Sequence, residues 1–133
     1  MAINLKRVGV LHMENFKLYD GEYKFICVIW DSEPVGSTEL VKLCAEKLGW
    51  KKSTTYTMLR KLAERGLLKN ENTIVTTLVK REQVQRFETE TLLNKMFDGS
   101  LPSFVASFLQ GRTLSETEAR EIQRMIQEAM KNG

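Results

Sequence analysis

Apolar residues along the chain fall into blocks with distinct periods, separated by turn-forming residues. Between Glu22 and Asp31, the residues Phe25, Ile26, Val28, Ile29 and Trp30 are apolar nearly all round. Their β-branched content suits a strand and their density a buried helix. We read a helix, stopped by Ser32-Glu33 before Pro34 and preceded by a turn at Asp20-Gly21. Ser37 then suits an N-cap, and Leu40, Val41, Cys44 and Leu48 recur at helical spacing. Gly49 supplies a left-handed stop, and Trp50 opens a turn of a few residues. A third helix, from about Ser53 to Arg65, turns Thr55, Met58, Leu59 and Leu62 inward and ends at Gly66. Leu67-Leu68 and Ile74 to Val79, flanking a polar tip at Asn70-Glu71-Asn72, predict a two-stranded hairpin.

The rear of the chain is helical by the same criteria. Glu82 to Phe97 carries Val84, Phe87, Leu92, Leu93, Met96 and Phe97, and Asp98-Gly99 breaks it. A short apolar helix follows from Ser100 or Leu101-Pro102, with Phe104, Val105, Phe108 and Leu109. Ser115 caps the last helix, with Glu118 as its capping-box partner, and the apolar stripe is Ala119, Ile122, Met125, Ile126 and Ala129. Three short amphipathic helices make a thin layer that cannot bury Leu92, Leu93, Phe97, Phe104, Val105, Phe108, Leu109 and Ile122 against itself. A second copy of the chain is the expected cover; folding back onto the front domain is the alternative. The fold class expected is mainly α with a small β wing. A winged helix-turn-helix domain at residues 22–80 precedes a helical dimerisation region at 81–133. Residues 1–21 form a leader in which Val8, Val10 and Leu11 suit a short strand. Met13 offers a second start that would make the first twelve residues an extension.

Charge adds direction to this outline. The net charge of +3 is modest, but residues 1–80 hold 13 Lys and Arg against 9 acids, and residues 81–133 hold 7 against 8. A basic front and a near-neutral rear suggest that the front meets a polyanion. Lys51, Lys52, Arg60, Lys61, Arg65 and Lys69 stand on or beside the third helix with Glu64 as the one acid among them. The outward side of that helix carries Ser53, Tyr56, Thr57, Arg60 and Lys61, with Thr54 at its border. A merely solvated helix would show opposite charges at i, i+4 spacing. This face is nearly of one sign and rich in groups that donate to phosphates and base edges. Arg60 and Lys61 suit base reading and phosphate clamping equally.

Other chemistry is sparse. Cys27 and Cys44 fall among apolar helical positions, where Cys acts as a small hydrophobe. His12 is the only histidine and there is no CxxC pair, so no metal site, no cofactor and no catalytic residues are expected. No glycine-rich phosphate loop or nucleophile motif occurs, and the reading is of a non-enzyme. No apolar run approaches the roughly 18 residues of a membrane span, and no signal peptide is read, so a cytoplasmic protein is expected.

Through GWKKSTTYTMLRKLAERGLLKN the chain resembles the penicillinase-repressor family of transcriptional regulators, of BlaI/MecI/CopY type. EYKFICVIWDSEPVGSTELV is similar to the family's first helix, LVKREQV to its entry into the dimerisation helices, and FDGSLPSFVASFLQGRTLSETE to the runs that follow. The resemblance covers roughly Glu14 to the C-terminus. It implies a homodimeric bacterial repressor, each subunit setting its third helix in a major groove of a roughly palindromic double-stranded operator. Lys51, Lys52, Ser53, Thr54, Tyr56, Thr57, Arg60 and Lys61 would then face DNA. The wing departs from the family by being shorter and lacking its basic residues. Where the family's β-lactam response cuts an Asn-Phe bond, this chain has Ser107-Phe108, which weakens the expectation of a sensor protease as partner. The cysteine-rich tail of the copper-responsive relatives is absent. From a different class, a winged-helix module that docks a protein without reading DNA would fit the same fold and the weak wing.

Overall fold

A computed structural model describes residues 16–132, so the expectations for Val8 to Leu11, His12 and Met13 lie outside the described residues. Among the described residues there are six helices and three strands. They are α1 (Asp20–Ser32), β1 (Val35–Gly36), α2 (Ser37–Leu48), α3 (Lys52–Glu64), β2 (Leu68–Glu71), β3 (Ile74–Thr77), α4 (Arg81–Phe97), α5 (Leu101–Leu109) and α6 (Glu116–Asn132). The strands form one antiparallel sheet in the order β1-β3-β2. A three-helix unit closed by this small sheet is the winged-helix plan.

α1 begins before Glu22 and absorbs Asp20-Gly21, where a turn was expected. The Tyr19 backbone N–H donates to Glu22 Oε1 at 2.8 Å. Asp20 and Glu22 place negative charge against the helix N-terminus, which favours starting there. At the other end of α1, Trp30 Nε1 donates to the Val79 carbonyl at 3.0 Å. Glu33 accepts from both the backbone N–H and the hydroxyl of Thr77, tying the end of the helix to the sheet. Phe25, Ile26 and Ile29 are wholly inaccessible, together with Leu40, Cys44, Leu62, Val75 and Val84. α1 is therefore the element around which α2, α3 and the sheet close.

Two starts differ from the expectation for a common reason. β1, which the sequence reading missed, pairs Val35 with Val75 and Gly36 with Ile74. That pairing keeps the backbone extended through Gly36, so Gly36 is the N-cap of α2 and Ser37 is its first helical residue. The Ser37 N–H donates to the Thr73 carbonyl at 2.8 Å. In α2, Leu43 packs on the core where Val41 was expected to. Gly49 ends the helix at φ +69°, as its position after the apolar stripe predicts.

The hairpin is tighter than the sequence suggested. Asn70 and Glu71 belong to β2, paired with Val75 and Ile74, which leaves only Asn72-Thr73 as the tip. Both tip residues have positive φ, 52° and 64°, as a two-residue hairpin turn of the type I′ kind requires. Asn tolerates that conformation; a β-branched Thr is strained by it.

The chain divides into two compact units, one up to Thr91 and one from Leu92, with the division inside α4. In the second unit Ser100 caps α5 by accepting from the Ser103 N–H at 3.2 Å, and Ser115 accepts from the Glu118 N–H at 3.1 Å ahead of α6. Phe97 meets Phe104 edge-on with ring centroids 5.5 Å apart, and Phe104 stacks on Phe108 at 6.1 Å. No residue from Leu92 to Asn132 is buried.

Replacing Thr73 by Gly is expected to stabilise the front unit by about 0.5–1 kcal/mol, the relief of left-handed strain outweighing the added freedom of the unfolded chain. Urea unfolding of Thr73→Gly checks this, and a lowered midpoint would show that the tip carries no net strain.

Candidate nucleic-acid interface

The turn before α3 sets the register of its outward face. Gly49 reverses the chain, and the Trp50 indole stacks on Phe25 at 5.6 Å with the planes 17° apart. Trp50 is thereby fixed on α1, and the next residue, Lys51, becomes the N-cap of α3. Thr55, wholly buried, satisfies its hydroxyl by donating to the Lys51 carbonyl at 3.2 Å. Leu59 and Leu62 continue this inner side. With Thr55, Leu59 and Leu62 inward, the 3.6-residue period turns Ser53, Thr57 and Arg60 outward.

The expected residues lie where that period puts them. Lys51, Lys52, Ser53, Thr54, Thr57 and Arg60 are exposed and Tyr56 is half-buried. Lys52 Nζ lies over the Tyr56 ring, 6.0 Å from its centroid, so the aromatic backs a cation at the start of the helix. The side chains of Lys51, Ser53, Thr54, Thr57 and Arg60 have no hydrogen-bond or ion-pair partner among the described residues. Helices α1, α2, α4 and α6 each carry an acid in the first turn, whereas α3 and α5 have none, and α3 opens on Lys52-Ser53-Thr54. Free backbone N–H groups, hydroxyls and two lysines at one helix end form a setting that favours an incoming anion.

Lys61 stands apart from the others. Its ammonium lies 3.2 Å from Glu22 Oε2, and Arg65 Nη1 is 3.2 Å from the same oxygen. The Glu22 side chain is only 2% exposed. Burial pushes its carboxyl upward, but the Tyr19 N–H, Lys61 and Arg65 together outweigh this and hold it below the ordinary carboxylate range. Arg65 also donates to the Lys17 carbonyl. Sequence reasoning missed Glu22, because nothing in its local context announces a partner 43 residues away. The available sign was an acid next to an otherwise apolar helical block.

The wing adds little charge. Lys69 Nζ lies 3.6 Å from Glu71, and the tip residues Asn72 and Thr73 are uncharged. Cys44 is buried, and burial raises its thiol above the ordinary range, as suits an inert core residue. No group of three or more His, Cys, Asp and Glu able to hold a metal occurs among the described residues. No described helix is long and apolar enough to cross a membrane.

In the second unit the residues expected at a subunit contact are all at least partly exposed. Leu93, Phe97, Phe104 and Leu109 are half-buried. Leu92, Val105, Ile122 and Phe108 are exposed, Phe108 by 52%. Arg112 lies over the Phe108 ring at 4.2 Å. Ser107-Phe108 lies within α5, with both side chains exposed.

Comparison with known proteins agrees with this architecture. Residues 20–128 match the model of the penicillinase repressor family. The chain is similar to the penicillinase repressor of Bacillus licheniformis, at 25% identity over 84% of this chain and 91% of that protein. It is 20% identical to the methicillin resistance regulatory protein MecI of Staphylococcus aureus strain Mu50, over 85% of this chain and 95% of that protein. A penicillinase repressor from Staphylococcus aureus is 22% identical over 83% of this chain and 90% of its own length. The chain belongs to the penicillinase repressor family, a family of transcriptional repressors.

The Glu22 cluster predicts a pH dependence. Its folded-state pKa is depressed, so its stabilisation is complete above the unfolded carboxylate value, about 4.3. It is lost as pH falls through the lower folded value. Urea midpoints measured from about pH 6 to pH 3 should fall less for Glu22→Gln than for the wild type. Parallel curves would remove Glu22 as a source of acid sensitivity.

Proposed function

We propose that this protein is a homodimeric transcriptional repressor that occupies a two-fold symmetric DNA operator through α3. Residues 22–80 would form the DNA-binding domain and residues 81–133 the dimerisation region. The observation that carries the reading is the outward row of α3. From Lys51 to Arg60 it holds three cations, hydroxyls and Tyr56, with no acid before Glu64. Arg60, Thr57 and Ser53 would approach base edges, and Lys51 and Lys52 the phosphates. Phosphate contacts fix the register and base contacts specify the site. Repression would be by occupancy, without chemistry on the DNA.

The second copy is argued from what the rear unit leaves uncovered. Ile122, Met125, Ile126 and Met130 form an exposed apolar stripe on α6, and Leu101, Val105 and Phe108 form another on α5. The 41 residues from Leu92 to Asn132, none of them buried, do not make a stable layer unless another surface covers them. A two-fold partner would at the same time supply a second α3 for the other half-site. The family names of the relatives, penicillinase repressor and methicillin resistance regulatory protein, accord with a regulator of this kind.

One observation favours a second reading, docking of a protein. The wing offers no free cation, since Lys69 is paired with Glu71. DNA competing away any protein bound to the purified chain would support the repressor reading; indifference to DNA would support docking.

Gel shifts on operator variants at two salt concentrations test the reading face. Arg60→Ala should cost about 1–3 kcal/mol with relaxed preference at one base position if Arg60 reads a base, or lower affinity uniformly with a shallower salt slope if it holds a phosphate. No effect of either kind would remove α3 as the interface. Ile126→Glu should shift the species seen by light scattering from dimer to monomer and weaken operator binding by at least tenfold, equivalent to about 1.4 kcal/mol. An unchanged dimer would place the contact elsewhere.

A further inference from the structure

We infer that Glu22 decides which cations of α3 are available to DNA. It holds Lys61 and Arg65 back from the phosphates and leaves the electrostatic contact to Lys51, Lys52 and Arg60. This rests on the reading of α3 as the DNA-facing helix and adds a positioning residue that lies on a different helix from the interface.

The geometry is specific. The two oxygens of Glu22 do separate jobs: Oε1 accepts from the Tyr19 N–H at 2.8 Å, and Oε2 is shared by Lys61 Nζ and Arg65 Nη1, each at 3.2 Å. The carboxylate is buried, while the lysine side chain is 54% exposed. A buried carboxylate stripped of its cations carries a large desolvation cost, so the pairing resists competition from a solvated phosphate more than a surface pair would. Lys61 follows Arg60 directly and sits one turn beyond Thr57, at the edge of the outward row. By sequence alone it suits phosphate clamping as well as base reading. In the fold its charge is already spent on Glu22, at the end of α3 opposite to Lys51 and Lys52. The available positive charge is thus concentrated at the start of α3, on Lys51 and Lys52, and at Arg60.

The arrangement has a consequence in the number of counterions released on binding. Each cation that engages a phosphate contributes about −0.9 to the slope of log K against log salt concentration. The test is fluorescence anisotropy of the full chain on a duplex from upstream of its own gene, titrated over a range of salt. Lys61→Met should leave the slope as it is in the wild type. Glu22→Gln should steepen it by about 0.9 for each cation released, and Glu22→Gln/Lys61→Met should recover about 0.9 of that change. A merely structural role for Glu22 would alter affinity or stability without this reversal. A slope shallower by about 0.9 in Lys61→Met, with the wild type binding normally, would make Lys61 a phosphate ligand and overturn the inference while leaving the DNA reading intact. An unchanged slope in a folded Glu22→Gln would also overturn it. If Glu22→Gln fails to fold, the Lys61→Met slope decides alone. Absence of any salt-dependent binding by the wild type would defeat the DNA reading first, and this inference with it.

Discussion

The burial of α1 is the constraint on which the front unit depends. Phe25, Ile26 and Ile29 are fully enclosed, and Val28 nearly so. α2, α3 and the sheet gather round them because no other element offers as much apolar side chain. Both ends of the helix are then tied down. Tyr19 and Glu22 fix its start, and Trp30 and Glu33 bond to the segment from Thr77 to Val79. Phe25 also supplies the platform for Trp50, which fixes where α3 begins. With its inner side settled by Thr55, Leu59 and Leu62, α3 has no choice about which residues face outward. The outward row of α3, the surface proposed to meet DNA, thus follows from a packing constraint on a different helix.

The two units differ in how completely they satisfy themselves. The front has a closed core and a buried carboxylate matched by two cations. The rear has well-capped helices, an aromatic ladder from Phe97 through Phe104 to Phe108, and no buried residue among those described. Local structure there is complete, and tertiary burial is missing. Under the proposal such helices would gain their burial from a second copy, which a repressor of a symmetric site would also need.

The elements that sequence revealed are those whose signal is local. Helical spacing of Leu40, Cys44 and Leu48, the stop at Gly49, the opening of α5 at Leu101-Pro102 and the cap at Ser115 depend on neighbours a few residues away, and each lies where expected. Features that needed distant partners were illegible. β1 is two residues long and exists only because Val75 and Ile74 stand opposite it. That pairing, not side-chain preference, moved the cap of α2 from Ser37 to Gly36. The start of α1 is set by Glu22 reaching back to Tyr19, which overrode the turn preference of Asp20-Gly21. The outward row of α3 was legible because helix period and residue type agree there. The pairing of Lys61 was not, because Glu22 lies 39 residues earlier in the chain and on another helix.

The most direct measurement is hydroxyl-radical footprinting of the purified protein on DNA upstream of its own gene. The account predicts two protected stretches related by two-fold symmetry, about one helical turn or a multiple of it apart, fading as salt is raised. A uniform, unprotected ladder at concentrations where light scattering still finds a dimer would contradict it.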